Sequence, residues 1–174
     1  MYTGKLVRLR AFEHADAEQN HLFVNDYETL RGMITGIPFP SSREDEQRFV
    51  DQQTSYTRGE YQFAVETLSG ELIGRCGITK VDWKNSVAEL GVMISSGYRR
   101  KGYGTDAVHV LCDFCFQEMN LHKLKLTVAA FNTPALRCYE QCGFRREGTL
   151  SEEIFRQGKY HDAVILGRLR PSGV

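Results

Sequence analysis

The chain has 174 residues, enough for one compact domain over 1–174 with its own core. Its 22 basic and 22 acidic side chains cancel, which excludes a nucleic-acid binder held by bulk charge. Five cysteines are an odd set that argues against a secreted disulfide framework, and no run is apolar enough for a signal peptide or membrane span, so the expected location is cytoplasmic.

In chain order, Lys5 to Phe12 reads as a short strand. Glu13 to about Asn25 is helical, with a second helical piece to Met33. Gly36-Ile37-Pro38-Phe39-Pro40 is a loop, since two prolines and a glycine forbid regular structure. Ser41-x-x-Glu44 and Ser42-x-x-Asp45 offer an N-cap for a helix to about Arg58. Tyr61 to Leu68 and Glu71 to Val81 are strands joined by a hairpin at Ser69-Gly70, and Asp82 to Ser86 is a turn. Then come a strand over Val87 to Ile94, a helix over Tyr103 to Met119, a strand over Lys123 to Phe131 and a helix over Pro134 to Cys142. Phe144 to Phe155 and Tyr160 to Arg168 form a closing hairpin. The strand–helix–strand unit at Val87 to Phe131 requires one parallel pair, while the earlier strands form an antiparallel meander. The fold class is α/β, a mixed, mostly antiparallel sheet flanked by helices.

The most informative segment is Arg99-Arg100-Lys101-Gly102-Tyr103-Gly104-Thr105-Asp106-Ala107, which joins a strand to a helix. Free N–H groups and the positive end of the helix dipole favour a phosphate there, and glycines let it approach. Gly102-x-Gly104-x-x-Ala107 fits the dinucleotide fingerprint, but the next strand ends Ala129-Ala130-Phe131-Asn132 without the acid that would hold a ribose. Gly97 and Gly102 have P-loop spacing, but Tyr103-Gly104 stands where Lys-Ser/Thr is needed. Both nucleotide readings are rejected.

Arg99-x-x-Gly102-x-Gly104 after an apolar strand resembles the pyrophosphate loop of the GNAT acetyltransferase superfamily. The run Asn132-Thr133-Pro134-Ala135-Leu136-Arg137-Cys138-Tyr139-Glu140-Gln141-Cys142-Gly143-Phe144 resembles that superfamily's second motif. Ala88-Glu89-Leu90-Gly91, Leu121-His122-Lys123 and Gly158-Lys159-Tyr160-His161-Asp162 are similar to the branch of ribosomal-protein N-terminal and spermidine acetyltransferases. Ser96 departs from the proline common before the loop. The resemblance implies an acetyl-CoA-dependent N-acetyltransferase that uses no metal. It implies that the main chain of Val92, Met93 and Ile94 pairs with the pantetheine arm like an added strand. It also implies that amides of Arg99, Arg100, Lys101, Gly102, Tyr103, Gly104 and Thr105 cradle the pyrophosphate, that Asn132 contacts the acyl-pantetheine region and that Tyr139 faces the sulfur.

Acetyl transfer needs a neutral amine, a held oxyanion and a proton for the departing thiolate. Tyr139 is the candidate acid; its ordinary pKa of about 10 lies above a thiol's, about 8.5. Its alternative is a core tyrosine packed beside Leu136. Glu89 is the candidate base, acting directly or through water. It shares a strand face with Gly91 and Met93, opposite Ala88, Leu90, Val92 and Ile94, and its alternative is a structural ion pair. A backbone N–H near Val92 to Ile94 is the candidate oxyanion donor.

Cys112-x-x-Cys115 follows one helical stripe with Val108, Leu111 and Met119, and Cys138 and Cys142 repeat at i, i+4; these read as core cysteines, with no metal. His122 reads as a strand-start cap or packing residue, and Glu44-Asp45-Glu46 as a solvated helix start. The second functional class, a non-catalytic acyl-CoA-binding module, is disfavoured by the presence of both Glu89 and Tyr139. The best expectation for the acceptor is a peptide or protein N-terminal amine, whose pKa of about 8 eases deprotonation. The Gly36 to Pro40 loop would wall its pocket, and a polyamine or other small amine is the alternative. No nucleic-acid or membrane partner is expected, and a homodimer is left open.

Overall fold

The computed structural model describes residues 2–33, 36–54 and 61–171. The described strands form one eight-stranded sheet in the order β1-β2-β3-β4-β5-β6-β8-β7. Strands β1 (Tyr2–Thr3), β2 (Val7–Arg10), β3 (Tyr61–Thr67), β4 (Leu72–Asp82) and β5 (Val87–Ile94) run antiparallel in succession. β5 then pairs in parallel with β6 (Lys123–Ala129). β8 (Lys159–Leu169) and β7 (Arg145–Arg156) close the sheet, again antiparallel. The meander, the single parallel pair and the closing hairpin are those the sequence predicts.

Each face carries its own core. On one face α1 (Asp16–Val24), α2 (Tyr27–Leu30) and α3 (Arg43–Thr54) lie over the sheet, where Phe23, Val24 and Val50 meet Ala64, Leu72 and Met93. On the other, α4 (Tyr103–Asp113) and α5 (Thr133–Gln141) bury Val108, Leu111, Cys112, Leu136 and Tyr139 against Ile78, Leu90 and Leu126. The alternation along β5 sorts itself accordingly: Ala88, Leu90 and Ile94 join the second cluster and Met93 the first.

Three expectations are corrected. The predicted Lys5–Phe12 strand is shorter, and β1 precedes it. Gly4 N–H bonds Val7 O, and the Asp106 carboxylate accepts the amides of Lys5, Leu6 and Val7 at 3.1, 2.7 and 3.0 Å, so this stretch turns instead of extending. A Cβ on Gly4 would stand 2.4 Å from that carboxylate, so only glycine fits. The predicted helix to Met119 is α-helical only to Asp113 and continues as a π-turn over Phe114–Glu118. The extra residue lets Phe114 pack on Tyr2 and Phe63, at ring separations of 4.9 and 5.2 Å, while Cys115 and Phe116 stay buried. At the start of α3, Ser42 Oγ accepts the Asp45 amide and the Asp45 carboxylate accepts the Ser42 amide, the reciprocal cap the sequence offers. Glu46, however, is buried rather than solvated: it accepts from Asn20 Nδ2 and Ser41 Oγ. The helix end predicted near Arg58 lies outside the described residues.

Candidate active site

β5 and β6 are paired only at Val87–Lys123, Ala88–Leu124 and Glu89–Lys125. Beyond Glu89 the two strands diverge, although β5 stays paired to β4 through Ile94 and β6 to β8 through Ala129. The main chain of Val92, Met93 and Ile94 therefore has no β6 partner on that side. A cleft of about 490 Å³ opens at the gap, lined by Leu90 to Met93, Leu126 to Val128, Asn132, Tyr139, Glu89 and Arg75 among others.

The loop at the end of β5 leads to the N-terminus of α4. The first intrahelical donor there is Asp106, whose N–H reaches Gly102 O, so the amides of Tyr103, Gly104 and Thr105 have no helical acceptor. Gly102 sits at φ +86°, a left-handed conformation that a Cβ would strain and that turns these amides outward as a group. A Cβ at Gly104 would meet Ile94 and Cys138 at 3.7 and 3.8 Å, ordinary contacts that force nothing to move. The set fits a pyrophosphate. Arg99 is tied to the fold: its amide bonds Ser96 O, and its guanidinium bonds Ile94 O and Glu28 O, joining β5 to α2. Lys101 caps Gly97 O and lies over Tyr98, while Arg100 is exposed. The chain's own carbonyls thus take the side chains of Arg99 and Lys101.

Tyr139 lies on α5 at the cleft, 8% exposed, with its ring against Phe144. No described residue hydrogen-bonds its hydroxyl. Burial, followed by the neighbouring thiols of Cys138, Cys76, Cys142 and Cys112, pushes the phenol well above its ordinary pKa. It is both a packing residue and a protonated hydroxyl at the cleft. Asn132 caps α5, its Oδ1 accepting the Ala135 amide at 3.3 Å, and its Nδ2 donates to Gly32 O at 3.1 Å. It lines the cleft as the bolt between α5 and the exit of α2.

Glu89 is on the α1–α3 face of β5, where a register shift in β4 leaves Thr79 Oγ1 donating to Glu89 O. Its carboxylate is 38% exposed and 4.0 Å from Lys125 Nζ, an ion pair at the limit of contact. Expectation and alternative thus coexist: the group is in the cleft, and a cation stands near it. Arg75, on β4 opposite Met93, also lines the cleft. The sequence reading passed over it, because a lone arginine in a strand carries no motif.

The cysteines behave as core residues. Cys76, Cys112, Cys115 and Cys142 are buried, and burial raises Cys112 to about 12. Cys138 is half-buried against Thr105 Oγ1. His122 has an exposed side chain, and only its backbone ties the β6 start to Ser86 and Arg170. In the Gly36–Pro40 loop, Ile37 and Phe39 are 87% and 80% exposed and outside the cleft lining, so they wall no acceptor pocket there.

The acetyltransferase (GNAT) domain family matches residues 7–145. The spermidine N(1)-acetyltransferase of Vibrio cholerae is 31% identical over 154 residues, spanning 88% of this chain and 87% of that protein. The crystal structure of spermidine N-acetyltransferase from Vibrio cholerae in complex with CoA and spermine matches with a TM-score of 0.85 at 29% identity, covering 94% of this chain and 95% of that one. The L-amino acid N-acetyltransferase of Escherichia coli is 24% identical over 161 residues, 86% of this chain and 96% of that protein. The likeness runs to the spermidine enzymes, and the ribosomal-protein N-terminal branch gains no support from it. No described helix is long and apolar enough to cross a membrane. Strands that part beside a fan of open amides are what an acyl-CoA arm and its pyrophosphate require, and with the family match over most of its length this chain belongs to the GNAT acetyltransferases, as an acetyl-CoA-dependent N-acetyltransferase.

Proposed function

We propose that this enzyme acetylates a small-molecule primary amine by direct attack on the thioester of acetyl-CoA. The observation that carries the reading is the single cleft in which Glu89, Asn132 and Tyr139 meet the gap between β5 and β6. Its volume of about 490 Å³ suits a small acceptor beside the end of the pantetheine arm. The spermidine acetyltransferases among the relatives support a polyamine over the peptide end expected from sequence.

The amine enters as an ammonium and must lose a proton before it can attack. Glu89 takes that proton, directly or through water. The nitrogen lone pair then forms the N–C bond, and the carbonyl electrons move onto oxygen. A backbone N–H of the Val92 to Ile94 segment donates to that oxyanion. Collapse breaks the C–S bond, and the Tyr139 hydroxyl gives its proton to the departing thiolate. Desolvation raises the phenol, which keeps it protonated at rest, and it raises a thiolate leaving into the same site as well, which keeps the transfer feasible. Solvent returns a proton to Tyr139 and removes one from Glu89. The open amides of Tyr103 to Thr105 hold the pyrophosphate throughout.

The test is free-thiol release from acetyl-CoA across a panel of primary amines, with products identified by mass spectrometry. Release that depends on a small amine is the expected result. Release only with short peptides would replace the small-molecule reading by the peptide-end one.

A further inference from the structure

Arg75 is held by an aromatic ring and by the charge of a buried carboxylate, and neither takes its donors in a hydrogen bond. Its side chain is 20% exposed and stacks on Phe49, with the guanidinium carbon 4.5 Å from the ring centre. Among the described residues its guanidinium makes no hydrogen bond. The nearest carboxylate, Glu46, is 3.8 Å away and already accepts from Asn20 Nδ2 at 2.5 Å and Ser41 Oγ at 2.7 Å. The Arg75 donors are therefore available to a group in the cleft that Arg75 lines. Burial lowers the Arg75 pKa, but the group stays charged at any ordinary pH.

Its place in the sheet says where those donors are wanted. Arg75 is directly opposite Met93, in the stretch of β5 that has lost its β6 partner. Direct partners in a ladder share a face, and along β5 Met93, Gly91 and Glu89 alternate onto that same face. Arg75 and Glu89 therefore line the cleft from the α1–α3 side, whereas Tyr139 reaches it from the α5 side. The charged lining among the described residues is one cation and one carboxylate. A polyamine would set an ammonium against Arg75 with only Glu89 to hold it.

We propose that Arg75 is a specificity residue that receives a carboxylate on the acceptor, so that the substrates are amino acids or related amino carboxylates. This rests on the small-amine reading above and narrows it. The flat guanidinium, held by Phe49, offers the paired donors that match a carboxylate. Glu46 already offsets part of its charge, which favours a monoanion over a phosphate. The acceptor lies with its carboxylate toward Arg75 and its amine toward Glu89.

The experiment uses thiol release from acetyl-CoA with α-, β- and γ-amino acids, each paired with its own primary amide, and with spermidine. In the wild-type enzyme an amino acid exceeds its amide in kcat/KM by at least about tenfold, mostly through KM, as loss of a charge-assisted pair implies. Arg75→Gln abolishes that preference, and Arg75→Lys keeps part of it. The acid–amide comparison needs no variant, so poor folding of Arg75→Gln would not remove the test. An amide or spermidine turned over as well as the best amino acid would overturn the proposal and leave the small-amine reading standing. Absence of thiol release with every amine would sink that reading too.

Discussion

Tyr139 combines two functions that sequence reasoning set against each other. It is packed on Phe144 and it lines the cleft with a hydroxyl that no described residue satisfies. Tyr139→Phe keeps the ring contact and removes only the acid, so thermal stability should change little while kcat falls by about 100-fold or more. Thermal melts and steady-state kinetics on the same preparation check both halves. Because burial raises the phenol, the wild-type rate should show no descending limb from tyrosine ionisation below its ordinary pKa of about 10. In Glu89→Gln the amine must ionise unaided, so the pH–rate profile should move to higher pH. An unmoved profile would assign Glu89 to its contact with Lys125 instead.

At the scale of elements, the α4 N-terminus is the part with the clearest division of labour. The Asp106 carboxylate turns away to hold three amides of the β1–β2 connection, and Arg99 turns away to hold β5 against α2. The amides of Tyr103 to Thr105 are left without a helical acceptor. Gly104→Val should add bulk beside those amides with little effect on folding, since a Cβ there makes only ordinary contacts. Isothermal calorimetry should show CoA affinity falling at least about tenfold, the loss expected when charge-assisted amide contacts to a phosphate are pushed apart. Equal affinity would move the pyrophosphate site elsewhere. The loop was legible in the sequence because glycine spacing and a helix start are local features. The role of Asp106 was not, since its partners lie about a hundred residues away.

For the whole molecule, the acid limit of stability should be set by an ion network joining β2, α1 and β3. Arg10 donates to Asp16 at 2.7 and 2.8 Å and to Glu66 at 2.5 Å, while Arg8 pairs with Glu66 at 2.9 Å. Burial alone would raise the Asp16 carboxyl, but the hydrogen bonds from Arg10 and from the Glu13 amide outweigh it and hold the pKa below its ordinary value. A lowered carboxylate pKa favours the folded state at pH above the ordinary value of about 4, and that contribution disappears as pH falls through the lower folded value. Denaturation across pH 2 to 7 should therefore show an acid limb, in the range set by about 4 and below. In Asp16→Asn the limb should flatten while stability near neutrality drops. A variant as stable as the wild type at pH 7 would show that the network contributes nothing net.

The meander, the one parallel pair, the glycine loop at a helix start and the family were legible in the sequence, because each is carried by periodicity, turn chemistry or a short motif. The sequence also placed Glu89 on the face of β5 that carries Gly91 and Met93, since side-chain alternation along a strand needs no knowledge of its neighbours. Which charged groups are already occupied emerges only when the chain is folded. Arg99 reads as a phosphate ligand until its carbonyl partners are seen, and Glu46 reads as solvated until Asn20 and Ser41 close over it. Arg75 is the converse case, an unremarked strand residue that the assembled sheet and α3 set at the cleft, beside Glu46 and against Phe49. Whether a polar side chain is satisfied depends on groups brought together from distant parts of the chain, and no local pattern records that.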